Sequence, residues 1–310
     1  MIHHYIPVLC IPEHDNPNGP QLLQLVTQQL LTAGIRARVL SRQRGSKDSV
    51  YSADGLFHLA LQSDLLIVDG YYEQAGGCMT FTAIDPKQMR PLRSQLRFDC
   101  HSIDMVKSCV DSIIAWLWSC LHNVPVWGCI LIGGRSSRMG SPKHLLAAGQ
   151  GETWLERIIS TLETKVSTII ISGAGDVPDR LASYQRIADI PGVDGPLSGI
   201  DSAMRYNPAV SWLLLACDMP DISSEAINWL LRQRKPGRIA IIPQNPETGV
   251  SEPLFAWYDF RCSFQIQELV ASGERRITQV RHLAGVFEPL IPRNLVYAWR
   301  NINRPEEREE

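Results

Sequence analysis

The densest anion-binding chemistry in the sequence is the run Gly133-Gly134-Arg135-Ser136-Ser137-Arg138-Met139-Gly140-Ser141-Pro142-Lys143. Paired glycines open it, so the backbone can approach a ligand closely and turn its N–H groups toward an anion. Arg138 and Lys143 add two cations, and no acid lies near them in the sequence. That combination suits a triphosphate. An ordinary strand-to-helix turn with solvated basic side chains is the plainer alternative. A second feature is Asp218, which follows the apolar run Leu213-Leu214-Leu215-Ala216-Cys217 and precedes Met219-Pro220. A carboxylate at the mouth of a buried strand is costly unless paired or coordinated. Magnesium is commonly held by one or two carboxylates together with substrate phosphates. The alternative is an acid that caps a helix near Ser223 and Ser224. Arg275 and Arg276 put two guanidinium groups after a helix, where they suit a bound phosphate or form a plain exposed turn.

The elements that must position these groups alternate. Residues 126–132 form an apolar run short enough for a buried strand, and 152–159 have helical spacing. The β-branched stretch 166–171 is a second buried strand, closed by Ser172-Gly173-Ala174-Gly175-Asp176. A shorter strand over 185–188 ends in Asp189. Gly195-Pro196-Leu197-Ser198-Gly199 introduces a helix through about Tyr206, and 211–217 is another buried strand. The stretch 252–258 is expected to turn back over the sheet. Strands alternating with helices imply a parallel sheet covered on both faces, and ligands of such sheets sit outside the carboxyl ends of the strands. The glycine-led loop, Ser172, Asp189 and Asp218 all fall at such ends.

The first part of the chain opens in the same style. A strand over 5–11 leads through Pro17-Asn18-Gly19-Pro20-Gln21 to a helix over 22–33, ended by Gly34, and a strand over 35–40. Where a Walker A loop carries Gly-Lys-Thr, this chain has Gly19-Pro20-Gln21. Proline removes a donor and brings no charge, so this loop cannot hold phosphates in that manner. A closing helix is expected over 104–117. The run 117–127 shows no helical period and carries Pro125, which sets a boundary: a first domain over 1–124 and a second over 125–310.

At 310 residues the chain is comfortable for two domains. Its 45% hydrophobic and 20% charged content are those of a soluble globular protein. A formal charge of −2 gives no global basic field for nucleic acid. The cysteines at 10, 78, 100, 109, 120, 129, 217 and 262 contain no Cys-x-x-Cys pair, which points to a reduced cytoplasmic protein rather than a disulfide framework or zinc site. The apolar stretch 109–132 is broken by Asp111, His122, Asn123 and Pro125, so no membrane span is expected. The acidic end, 306–310, reads as a solvated tail.

The pattern Gly-Gly-x-x-x-Arg-Met-Gly-x-x-Lys resembles the signature loop of the nucleoside-triphosphate-transferase superfamily, and most of all that of the molybdenum cofactor guanylyltransferases (MobA-type). The resemblance covers roughly Trp127 to the C-terminus. It implies a doubly wound, mostly parallel Rossmann-like sheet and a Mg2+-dependent transfer of GMP from GTP to molybdopterin or its molybdenum form. It assigns Gly133, Gly134, Ser136 and Gly140 to the phosphates, with Arg138, Lys143 and Asp218 as the catalytic groups. Ser172 matches a nucleoside-contacting position, and Asp189, Gly195 and Gly199 match positions that hold guanine and ribose. Arg275 and Arg276 would take the pterin phosphate. Asn301-Ile302-Asn303 matches the closing motif, with Asn303 joining Asp218 in the metal shell. Members commonly have threonine where Arg304 stands and an acid where Pro142 stands. Gly45-Ser46-Lys47-Asp48-Ser49 and 63–73, with Asp69 where a Walker B acid stands, resemble the molybdopterin-guanine dinucleotide accessory GTPase (MobB-type). They imply a P-loop-like α/β domain with a degenerate loop, kept for docking or stability. Two alternatives stand beside guanylyl transfer. One is cytidylyl or another nucleotidyl transfer. The other is a non-catalytic adaptor delivering cofactor to molybdoenzyme apoproteins or their chaperones.

Overall fold

The computed structural model describes residues 7–13, 18–41, 59–60, 62–73, 79–85, 90–91, 97–133, 142–149, 151–193 and 195–302. The chain divides into two compact units, Met1–Val124 with Lys235–Gly237, and Pro125–Arg234 with Arg238–Glu310.

The strands of the first unit are β1 (Val8–Glu13), β2 (Ala37–Ser41), β3 (Leu65–Glu73), β4 (Met79–Asp85), β5 (Arg90–Pro91) and β6 (Arg97–Cys100). The order is β2-β3-β1-β4-β5, with β6 also on β4. The trio β2, β3, β1 is parallel and β4 joins it antiparallel. Helix α1 (Gly19–Thr32) begins three residues before the expected start. Pro20 falls in its first turn, where a missing N–H costs nothing, so Gly19-Pro20-Gln21 is helix rather than loop. Leu22, Val26 and Leu30 recur every four residues and are buried in the core. Helix α2 (Val106–Asn123) runs six residues beyond the expected end at 117. Its buried stripe of Cys109, Ile113, Trp116, Leu117 and Cys120 never breaks. It stops only where Pro125 forces Val124 into extended backbone, φ −72° and ψ 117°.

The second unit holds β7 (Val126–Leu131), β8 (Ala147–Gly149), β9 (Glu152–Thr153), β10 (Thr168–Ser172), β11 (Gln185–Ile187), β12 (Ser211–Ala216), β13 (Ala240–Ile241), β14 (Ala256–Tyr258) and β15 (Val286–Phe287). The seven-stranded sheet runs β11-β10-β7-β12-β14-β13-β15. Strands β11, β10, β7 and β12 are parallel. From β7 the chain builds outward to β10 and β11, then returns to β12 on the other side of β7. That reversal is a topological switch point, the place where a crevice opens at the strand ends. The expected strand over 252–258 does not turn over the sheet. Its core, β14, lies within the sheet, antiparallel to β12 with Trp212 opposite Tyr258.

Helix α3 (Trp154–Leu162) starts at a capping box that the sequence reading passed over. The Thr153 side chain accepts from Glu156 N, and Glu156 reaches back to Thr153 N. Helices α4 (Pro196–Tyr206), α5 (Ser224–Arg232) and α6 (Cys262–Ala271) follow. Among the described residues seven cysteines are buried and form no disulfide, four in the first unit and three in the second, and Cys78 lies outside the described residues. Among the described residues no helix is long and apolar enough to cross a membrane.

Candidate functional site

The two strands flanking the switch point deliver the chemistry. After β7, Ile132 N donates to Ser172 O at 2.8 Å, and Gly133 turns away with φ +115°, a conformation that favours glycine. After β12, Cys217 N donates to Leu131 O at 3.1 Å, which sets Asp218 beside the end of β7. Lys143 arrives on a short 3-10 turn, Lys143–Leu145, and its Nζ lies 2.8 Å from Asp218 Oδ2. The acid that appears remote in sequence is therefore the lysine's partner. Both side chains are about one-fifth exposed, so the pair faces a crevice rather than open water. Asp218 does not cap the next helix, because Ser223 does, accepting from Ala226 N at 3.2 Å.

A cavity of about 320 Å³ opens here. Of the sequence-predicted residues, Gly133, Lys143, Ser172, Asp189, Gly195, Gly199 and Asp218 line it together. Gly195, at φ +88°, is the N-cap of α4 and is followed by Pro196, so the positive end of that helix borders the cavity. Gly199 lets the helix close on the sheet: a Cβ there would come within 2.6 Å of Leu131 Cδ2 and 3.4 Å of Ser172 Oγ. Ser172 Oγ is buried with no hydrogen-bond partner among the described residues, leaving a hydroxyl for a ligand. Burial raises the Asp189 carboxyl above its usual range. Burial, with Asp218 adding to it, pushes the Cys217 thiol up to about 12, which removes it as a nucleophile. Leu131, Pro196, Cys217 and Leu254 also line the cavity. The sequence reading missed them because apolar residues at strand ends look like core.

Other candidates stand apart. Arg275 and Arg276 lie on an exposed turn. The Arg275 carbonyl would sit 3.6 Å from a Cβ on Gly195, so the turn borders the cavity. The two guanidinium groups bond within their own turn: Arg276 pairs with Glu274 at 3.0 Å, and Arg275 Nη1 donates to the Glu274 carbonyl at 3.2 Å. Asn301 is exposed, and Ile302 N donates to Asp218 O at 2.9 Å, which draws the closing segment to the acid. Gly134, Ser136, Arg138, Gly140 and Asn303 lie outside the described residues, as do Lys47 and its neighbours.

A single cavity at the switch point, shared by a lysine from one loop and an acid from another strand, suits a nucleotidyltransferase. The chain belongs to the MobA-like NTP transferase family, whose sequence profile matches residues 128–286. It is 33% identical over 169 residues to a Bacillus cereus protein named "Probable molybdenum cofactor guanylyltransferase", covering 51% of this chain and 83% of that one. A Bacillus anthracis protein of the same name is 34% identical over 158 residues, covering 49% and 78%. Among solved structures, molybdopterin-guanine dinucleotide biosynthesis protein A from Archaeoglobus fulgidus is 21% identical, with a TM-score of 0.49 over 59% of this chain and 95% of that one.

Proposed function

We propose that the second unit, Pro125–Arg234 with Arg238–Glu310, transfers GMP from GTP to the terminal phosphate of molybdopterin or its molybdenum form, releasing pyrophosphate. The observation that carries this reading is the contact of Lys143 with Asp218 inside the switch-point cavity. The Lys143 ammonium 2.8 Å from Asp218 Oδ2 supports a cation-binding role for this carboxylate. One carboxylate plus substrate oxygens is a donor set that fits Mg2+, with Asp218 as its protein ligand and Asn303 as a second. When bound, Mg2+ neutralises charge on the phosphates.

The remaining work falls to the chain. The acceptor phosphate oxygen is already a nucleophile, so no general base is required. A new P–O–P bond forms at the α-phosphorus while the bond to the β-phosphate breaks, and the electron pair leaves with pyrophosphate. Lys143 and Arg138 offset charge growing on that leaving group, and the amides of Gly133, Gly134, Ser136 and Gly140 cradle the phosphates. The α4 N-terminus with Asp189, Gly195, Gly199 and the unpartnered Ser172 hydroxyl hold the nucleoside. Arg275 and Arg276, swung from Glu274, take the pterin phosphate. The first domain, 1–124, serves docking or stability as a degenerate P-loop-like domain. The protein works in the cytoplasm and hands its product to molybdoenzyme apoproteins or their chaperones.

Pyrophosphate release from each of the four NTPs, with molybdenum-loaded molybdopterin as acceptor, decides the matter. GTP should exceed the other three by at least about tenfold. A preference for CTP would move the enzyme to cytidylyl transfer. Tight acceptor binding without any release would make it an adaptor.

A further inference from the structure

His144 is a histidine buried to 2% exposure, next in sequence to Lys143. Its Nε2 lies 2.7 Å from the Asp176 carbonyl oxygen. A carbonyl only accepts, so Nε2 carries the proton and donates. Asp176 closes the 172–176 turn after β10, and that turn is gripped from its other side. Arg186 of β11 donates through Nη2 to the carbonyls of Gly175 at 2.7 Å and Gly173 at 3.3 Å. Gly175 leaves space for the imidazole, because a Cβ there would stand 3.1 Å from His144 Cε1. Gly133 rests on the same turn, where a Cβ would lie 3.3 Å from the Ala174 carbonyl oxygen. The two described ends of the glycine-led loop, Gly133 and the Lys143–Leu145 turn, are thus seated on one braced turn.

Lysine has four flexible bonds between backbone and ammonium. Where Nζ can reach is set by how firmly its Cα is held. Internal bonds hold the Lys143–Leu145 turn, Leu145 N to Pro142 O and Leu146 N to Lys143 O, but they do not tie it to the sheet. The His144–Asp176 bond does. We propose that His144 is a positioning residue: it fixes Lys143 so that its ammonium meets Asp218 and, on the transferase reading above, the leaving pyrophosphate. The role rests on that reading for its effect on rate, but the geometry of Lys143 can be followed without turnover.

The experiment uses the full chain with its lysines reductively 13C-methylated and the Lys143 resonance assigned through Lys143→Arg. Asp218→Asn supplies the position of a Lys143 that has lost the Asp218 carboxylate. His144→Leu should move the resonance to that position. His144→Gln, whose amide nitrogen reaches about as far as Nε2, should return it to the wild-type value. In the pyrophosphate assay, His144→Leu should lower kcat about tenfold with KM for GTP within about twofold, and His144→Gln should restore kcat. If the leucine variant does not fold, His144→Asn, whose amide stops short of Asp176, takes its place. An unmoved Lys143 resonance or an unchanged kcat in both variants overturns the proposal. A wild type that releases no pyrophosphate sinks the transferase reading alone, and the resonance then decides the role of His144.

Discussion

Asp218→Ala lowers GTP-dependent pyrophosphate release by about a hundredfold or more, the scale on which preorganised electrostatic groups act. Asp218 is the acid that β12 delivers to the end of β7, and its Oδ2 already holds a cation at 2.8 Å. Without the carboxylate, Lys143 keeps its charge but loses this partner, and on the proposed reading Mg2+ would lose one of its protein ligands. GTP should still bind, because the lysine remains available to phosphate, so the loss belongs in kcat. Steady-state kinetics at saturating Mg2+, set beside equilibrium binding of GTP to the variant, separates the two. Retention of more than half the wild-type rate would remove Asp218 from the mechanism.

The second large effect concerns folding. Gly173→Ala should destabilise the second unit by roughly 3–5 kcal/mol, among the largest costs of a single substitution. The glycine has φ +116°, and a Cβ built on it would stand 1.9 Å from the carbonyl oxygen of Ile132. A Cβ has no rotamer with which to escape and the oxygen belongs to backbone, so the 172–176 turn must part from the start of the glycine-led loop. Thermal unfolding should show a fall of at least about 5 °C for this unit. Gly273→Ala is the control: it has φ +86° but nothing within 4 Å of its Cβ. It should carry only the backbone cost of about 1–2 kcal/mol. Equal shifts for the two variants would show that the close approach at Ile132 contributes nothing.

Groups that lie close to their strand were readable in sequence. Asp218 ends an apolar run, Asp189 ends a short strand, and Gly133 opens a sharp turn. The strand-end rule gathered Gly133, Ser172, Asp189 and Asp218 into one place, and the cavity contains all four. What escaped were pairings between distant segments. Lys143 and Asp218 are separated by 75 positions, and a lysine on a loop gives no sign of which acid it will meet. Nothing in the sequence marks His144, because burial of its imidazole depends on a turn that follows another strand. The length of α2 was missed for a different reason: tryptophan and cysteine in its last turns obscured a stripe that only packing reveals. The place of β14 was missed because three apolar residues fit an edge, a covering strand or a sheet interior equally well.

The buried thiols have a practical consequence. Burial pushes those of Cys10, Cys109 and Cys217 up to about 12 and raises Cys129 and Cys262 as well. At neutral pH a maleimide can therefore modify them only after the surrounding segment opens. Cys10, Cys100, Cys109 and Cys120 report on one unit, Cys129, Cys217 and Cys262 on the other. Peptide mass mapping after a timed pulse in rising urea would then act as two clocks in a single chain. Separate midpoints would mean that each half melts alone; one shared midpoint would mean that neither survives the other.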